Sequence, residues 1–184
     1  MEVGSLLAAL ESSGVATTIR SSLYLFAVIE SVHVMGLATV FGTIVVIDLR
    51  LLGIASSDRP FTNIASDVFR WTWLAFAVTA TSGLLMFVTN AGSYYQNVYF
   101  RAKMALLVLA ALNMLLFEFT ARRSVREWDR QPVAPPVGRM VAAISLAVWI
   151  SVIVLGRWVG FTLTAPVPAG EEINLEDLEK FLPK

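Results

Sequence analysis

Glu30 and His33 stand three residues apart in the run IESVHVMG, inside an apolar stretch of the chain. His33 is the only histidine among 184 residues, and there is no cysteine. Residues three apart share one face of a helix. In hydrocarbon such a pair is costly unless something answers it, so it marks a place for chemistry. Four chemistries suit a carboxylate beside an imidazole there: proton relay, metal ligation, axial ligation of haem b, and hydrogen bonding to a quinone or similar amphiphile. Glu-x-x-His is one half of the di-iron carboxylate pattern. The other half is missing, so a metal ion held by His33 and Glu30 would need a second copy of the chain. One histidine gives haem b one axial ligand. A symmetric dimer would offer two copies of His33, and a monomer would hold the iron five-coordinate. The sequence carries no nucleophile–base triad, phosphate loop or zinc signature, which disfavours a soluble-type hydrolase. It names no catalytic residue, and the chain is more readily a binding subunit than an enzyme on its own.

Other polar residues in apolar surroundings are the candidate partners. Counting 1.5 Å per residue from the end that holds the chain termini, His33 lies at about 16 Å and Glu30 at about 12 Å. Asn113 and Thr81 come out at about 16 Å and about 15 Å on the same count, and Arg157 at about 9 Å. The expected site is therefore Glu30, His33, Asn113 and Arg157 in one layer, with Thr81 nearby. Glu30 and Arg157 form the most economical ion pair. Its structural account is a pin between the first and last helices, with His33 hydrogen-bonded beside it. A second account lets Arg157 extend to the interface beside Trp158. The functional account makes Glu30, His33 and Arg157 line a ligand or proton site. Further along, Asp48 repeats the azimuth of Glu30, and the stripe Glu30, His33, Leu37, Phe41, Ile44 and Asp48 predicts the interior face of its helix. Asp48 is expected to anchor to an arginine of the loops. Glu118 and Arg122 are spaced for a helix-surface salt bridge.

Four apolar segments are long enough to hold these residues in a bilayer, where about 20 residues are needed. They are 22–47, running on past Arg50, then 71–90, 104–121 and 140–163. Ser56-Ser-Asp-Arg-Pro60, Asn90-Ala-Gly-Ser93 and Arg130-Gln-Pro-Val-Ala-Pro-Pro136 punctuate them. Short connections predict antiparallel neighbours. The fold expected is all-α: a polytopic, antiparallel four-transmembrane-helix bundle over 22–163. Residues 1–21 form an N-terminal interfacial segment built on Leu6, Leu7 and Leu10, interrupted at Gly14. An acidic extramembrane tail covers 164–184. Ala38-x3-Gly42 and Gly156-x3-Gly160 are small-residue spacings that suit helix contacts, within the bundle or between copies of it.

The composition agrees with a membrane protein. It is 57% hydrophobic and 15% charged, with a net charge of zero, and the mean hydropathy is +0.69. Zero net charge makes nucleic acid an unsuitable partner. The expected partners are the lipid bilayer and either a second copy of the chain or a larger membrane complex. The start MEVGSLLAALESSG lacks the basic region of a signal peptide. Call the end of the bundle nearest both termini side A and the other side B. Eight of the 14 basic residues fall on side B and six on side A, two of those six far along the tail. The bias predicts side B in the cytoplasm and both termini outside.

Three stretches resemble an uncharacterised family of bacterial four-helix inner-membrane proteins. They are IESVHVMGLATVFGTIVVIDLRLLG, YYQNVYFRAKMALLVLAALNMLLFEF and GRWVGF, within residues 22–161. Glu30, His33, Gly36, Asp48, Arg50, Asn113, Arg157 and Trp158 carry the resemblance. It implies a four-helix membrane fold and brings no established activity. It also implies histidine in many relatives at the position of Glu118, so that a two-histidine site would be absent or altered in this chain.

Overall fold

The computed structural model describes residues 3–163 and is helical throughout, with no strand among the described residues. The acidic tail expected over 164–184 lies outside the described residues. Four helices are long and apolar enough to cross a membrane. They are α3 (Leu25–Leu52), α4 (Phe61–Thr89), α6 (Val98–Phe119) and α8 (Pro136–Leu163). The short helices are α1 (Val3–Glu11), α2 (Gly14–Ser21), α5 (Ala91–Gln96) and α7 (Val125–Trp128). Many large apolar side chains on the four spans face outward, among them Trp73, Leu84, Val108 and Ile150. That is the surface lipid requires.

Two spans start well before their apolar runs. α4 begins at Phe61, not Trp71, because Asp129 caps it from the α7–α8 connection. Its Oδ1 accepts from the Thr62 N–H at 2.8 Å and its Oδ2 from the Thr62 hydroxyl at 3.1 Å. α6 begins at Val98, not Met104, because the Asn97 side chain accepts from the N–H groups of Tyr99 (2.9 Å) and Phe100 (3.0 Å). Side-chain oxygens at this position satisfy donors that the first helical turn leaves free. The N-terminal segment is two helices, with Ser13 capping the second through the Ala16 N–H.

The spans lie in the order α4, α3, α8, α6, each packed on the next. α3 approaches α4 closely at Gly36, where a β-carbon would stand 2.5 Å from Thr79 Oγ1 and 3.5 Å from the Ala75 carbonyl oxygen. The expected small-residue contacts are elsewhere: Gly42 and Gly160 face open space within the chain, and Gly156 receives a lysine side chain. α4 and α6 meet through aromatic side chains. Phe61 and Phe117 touch at side B, with ring centroids 5.8 Å apart. Phe87 and Phe100 stack at side A, 5.6 Å apart.

The two ends differ. Side B is sealed by a core of Leu51, Phe61, Ala65, Ala121, Trp128, Ala134 and Ala142. Trp128 Nε1 donates to the Ala121 carbonyl at 2.9 Å, so the indole is buried without an orphan donor. Arg50 is fully buried beside this core. Its guanidinium donates to the carbonyls of Arg59 (2.9 Å), Asp129 (3.2 Å), Gln131 (2.9 Å) and Pro132 (3.4 Å), tying together both side B connections. α3 can stop there because Gly53 adopts φ 74°, with Val133 and the Pro132 carbonyl crowding its open side. A side chain at Gly53 would meet both strain and collision. At side A, α1 and α2 cover the end of α4. Glu11 Oε1 accepts from the Gly92 N–H at 2.8 Å, and Arg20 donates to the Thr89 carbonyl at 2.7 Å and to the Glu11 carbonyl.

Candidate functional site

The side A half of α3 and α4 holds His33 in a fixed pose. Its Nδ1 is 3.0 Å from the Thr79 carbonyl oxygen and 3.2 Å from Ser82 Oγ. A carbonyl only accepts, so Nδ1 carries the ring proton and donates it. The Ser82 hydroxyl donates to the Val78 carbonyl at 2.7 Å, which leaves its lone pairs toward Nδ1. The tautomer is therefore set: in the neutral ring, Nε2 is the unprotonated nitrogen. Gly83 makes the pose possible. A β-carbon there would stand 3.0 Å from His33 Cε1. Gly36 does the same for the backbone approach, so two glycines bring the imidazole down onto α4.

Two charges act on the imidazole, the Lys103 ammonium of α6 and the Glu30 carboxylate of α3. Lys103 does not reach outward. Its Cδ, Cε and Nζ lie 3.9, 3.8 and 3.6 Å from the place of a Gly156 β-carbon on α8. Counting from the side A helix ends, Gly156 lies at about 10 Å, His33 at about 12 Å and Ser82 at about 10 Å. These groups share one layer. Glu30 is exposed and lies on the approach to it. Tyr94 of α5 is half-buried there against Phe87 and Phe100, with centroids 6.0 and 5.3 Å away. Burial, and then the neighbouring Glu30 carboxylate, push the Tyr94 phenol above the ordinary tyrosine range.

The remaining sequence candidates fall elsewhere. Arg157 is exposed and lies over the Phe161 ring, 4.6 Å from its centroid. The ion pairs among the described residues are Arg59–Asp67 and Glu118–Arg122; the expected Glu30–Arg157 pair is not one of them. Asn113 is buried and donates to the Val141 carbonyl of α8 at 3.0 Å. Val141 is in the second turn of α8, so this contact belongs to the side B half. Counted from Val98, where α6 starts, Asn113 lies at about 22 Å, well below the His33 layer. Thr81 is exposed; its neighbours Thr79 and Ser82 hold the histidine instead. Asp48 meets the Ser145 hydroxyl of α8, and no loop arginine. Its other oxygen, Oδ2, is buried with no hydrogen-bond partner. Glu118 and Arg122 pair as expected, at 2.6 Å.

Sequence reading missed Lys103, Ser82 and Gly83. Lys103 stands just before the apolar run that begins at Met104, so hydropathy alone leaves it outside the span. The Asn97 cap was the available signal: it moves the helix start back and carries Lys103 into the membrane layer.

A model of one protein family matches residues 12–162. The chain belongs to that family, a family of unknown function (DUF6644). No curated protein and no solved structure matches the chain. DUF6644 membership covers all four spans, α2 and the His33 layer, so the site lies within the family's common region. Among the described residues, no three His, Cys, Asp or Glu side chains gather as a metal site would need. His33 with Glu30 offers at most two such groups.

Proposed function

We propose that this integral membrane protein binds a small lipid-soluble ligand or redox cofactor through His33 Nε2. The observation that carries the reading is the bond from Nδ1–H to the Thr79 carbonyl. Ligating histidines are held in this way: one ring nitrogen donates to a fixed carbonyl, which orients the ring and leaves the other nitrogen as the ligand atom. A histidine serving only to fill space would not need two glycines to admit it. Side B supports the reading by contrast, because its polar groups are largely consumed by backbone carbonyls and caps. That sealed end also counts against a transport path through a single chain.

The arginine bias favours side B in the cytoplasm, in a bacterial inner membrane with both termini outside. The ligand then sits in the outer half of the bilayer, with α1 and α2 lying along the outer interface. The test is the absorption spectrum, metal content and solvent extract of the protein purified in mild detergent. A bound species is expected in the native chain and absent from a folded His33→Ala variant. A native chain with no bound species, and no affinity for haem or quinone, overturns the reading.

A further inference from the structure

Lys103 narrows the chemistry of the ligand. Its ammonium is held against Gly156 of α8 and acts on the imidazole of His33, which is held against Gly83 of α4. Among the described residues no carboxylate forms an ion pair with it. An ammonium at membrane depth without a partner is costly, and an oxygen acceptor beside it would relieve the cost. The two groups ask for different things. Lys103 can only donate, and Nε2 of the neutral His33 can only accept. A matching ligand presents an acceptor oxygen at one edge and a hydroxyl at the other.

We propose that the site takes a lipid-soluble quinol, with one ring oxygen accepting from Lys103 Nζ and the opposite hydroxyl donating to His33 Nε2. This rests on His33 being the ligand-binding residue. The quinol satisfies both groups, donating its hydroxyl proton to Nε2 and accepting from Lys103. A fatty-acid carboxylate satisfies Lys103 but sets a second anionic oxygen against the Nε2 lone pair. The surroundings suit a flat ring. Phe87 and Phe100 lie nearly parallel at 14°, with Tyr94 beside both, where α4 and α6 meet through side chains. A planar head group stacks on such rings.

The experiment titrates the full chain in lipid nanodiscs with decylubiquinol, kept reduced, read by quenching of tryptophan fluorescence. Native protein, His33→Leu, Lys103→Met, Lys103→Arg and Arg101→Met are compared, each first shown to keep its size-exclusion profile and thermal midpoint. Arg101 is exposed and serves as the control. Saturable binding is expected in the native chain. Loss of a hydrogen bond at His33 or Lys103 weakens it by about tenfold or more. Arg101→Met binds as the native chain does, and Lys103→Arg, which keeps a donor, binds more tightly than Lys103→Met. Non-saturable quenching in the native chain, or binding in His33→Leu and Lys103→Met equal to that of the native chain, overturns the quinol assignment. A Soret band that His33→Leu removes, in a chain that binds no quinol, overturns it while leaving His33 as the ligand residue. A native chain that binds neither overturns both.

Discussion

Gly83 and His33 are fitted to each other: a β-carbon on residue 83 would stand 3.0 Å from the imidazole Cε1 and 3.4 Å from Nδ1. Gly83→Ala separates site geometry from stability. Alanine gains up to about 1 kcal/mol in helix propensity over glycine. Moving the ring by a few tenths of an ångström costs a similar amount, through the bonds to Thr79 and Ser82. The thermal midpoint should therefore change little, while ligand retention falls. An alanine variant that keeps both its midpoint and its ligand would show that the ring pose is not needed.

Gly36→Ala tests the same approach one turn away, without touching the ring. Its β-carbon would stand 2.5 Å from Thr79 Oγ1, so Thr79 must turn or the helices must part. Thr79 also supplies the carbonyl that His33 uses. Overpacking of this kind costs about 1–3 kcal/mol. Unlike Gly83→Ala, this variant should lose stability and ligand together, seen as a lower midpoint in detergent and a smaller bound fraction.

Arg50→Lys addresses the sealed end. The guanidinium serves four carbonyls from two connections, and an ammonium cannot reproduce that planar fork. Carbonyls left unsatisfied cost about 1–3 kcal/mol each when they stay dry. A loss of about 2–4 kcal/mol is expected once water re-enters part of the site. Ligand binding at side A, on the far side of the membrane, should survive in the folded fraction. Equal stability of Arg50→Lys and the native chain would mean that the clamp adds nothing to the fold.

The sequence revealed the four spans because hydropathy over some 20 residues reports burial in lipid directly. It also revealed His33, a lone imidazole in apolar text. The partners of His33 were another matter. Thr79 acts through its carbonyl, which no side-chain pattern encodes, and Gly83 acts by what it lacks. The Glu30–Arg157 pair failed because depth was used without azimuth. Arg157 had a cheaper solution in Phe161, and Glu30 an exposed position. Asn113 was misplaced by a helix start that only the Asn97 cap reveals. The role of Arg50 is not legible in the sequence, since four backbone acceptors from distant loops leave no trace there.

Asp48→Asn follows from the orphan oxygen. Asp48 is 4% exposed, faces Ser145, and leaves Oδ2 without a partner. An amide keeps the shape and never has to carry a buried charge. The variant should match or exceed the native midpoint. A folded Asp48→Asn protein that loses ligand binding would instead tie Asp48 to the site at the other end of the bundle.

Tyr94 gives a test that depends on pH. Its phenol is pushed up first by burial and then by Glu30. The folded value thus lies above the unfolded one, which is about 10. The neutral phenol is the form the fold favours. Its contribution is fully present below the unfolded value and is lost as pH rises through the folded value. Tyrosinate absorbance, taken as the difference between the native chain and Tyr94→Phe, isolates this group from the other three of four tyrosines. Its midpoint should lie above the unfolded value. Glu30→Gln removes the like charge and should bring the midpoint down, though not to the unfolded value, because burial is the larger cause. An unchanged midpoint in Glu30→Gln would place the Glu30 carboxylate away from Tyr94, and so away from the approach to His33.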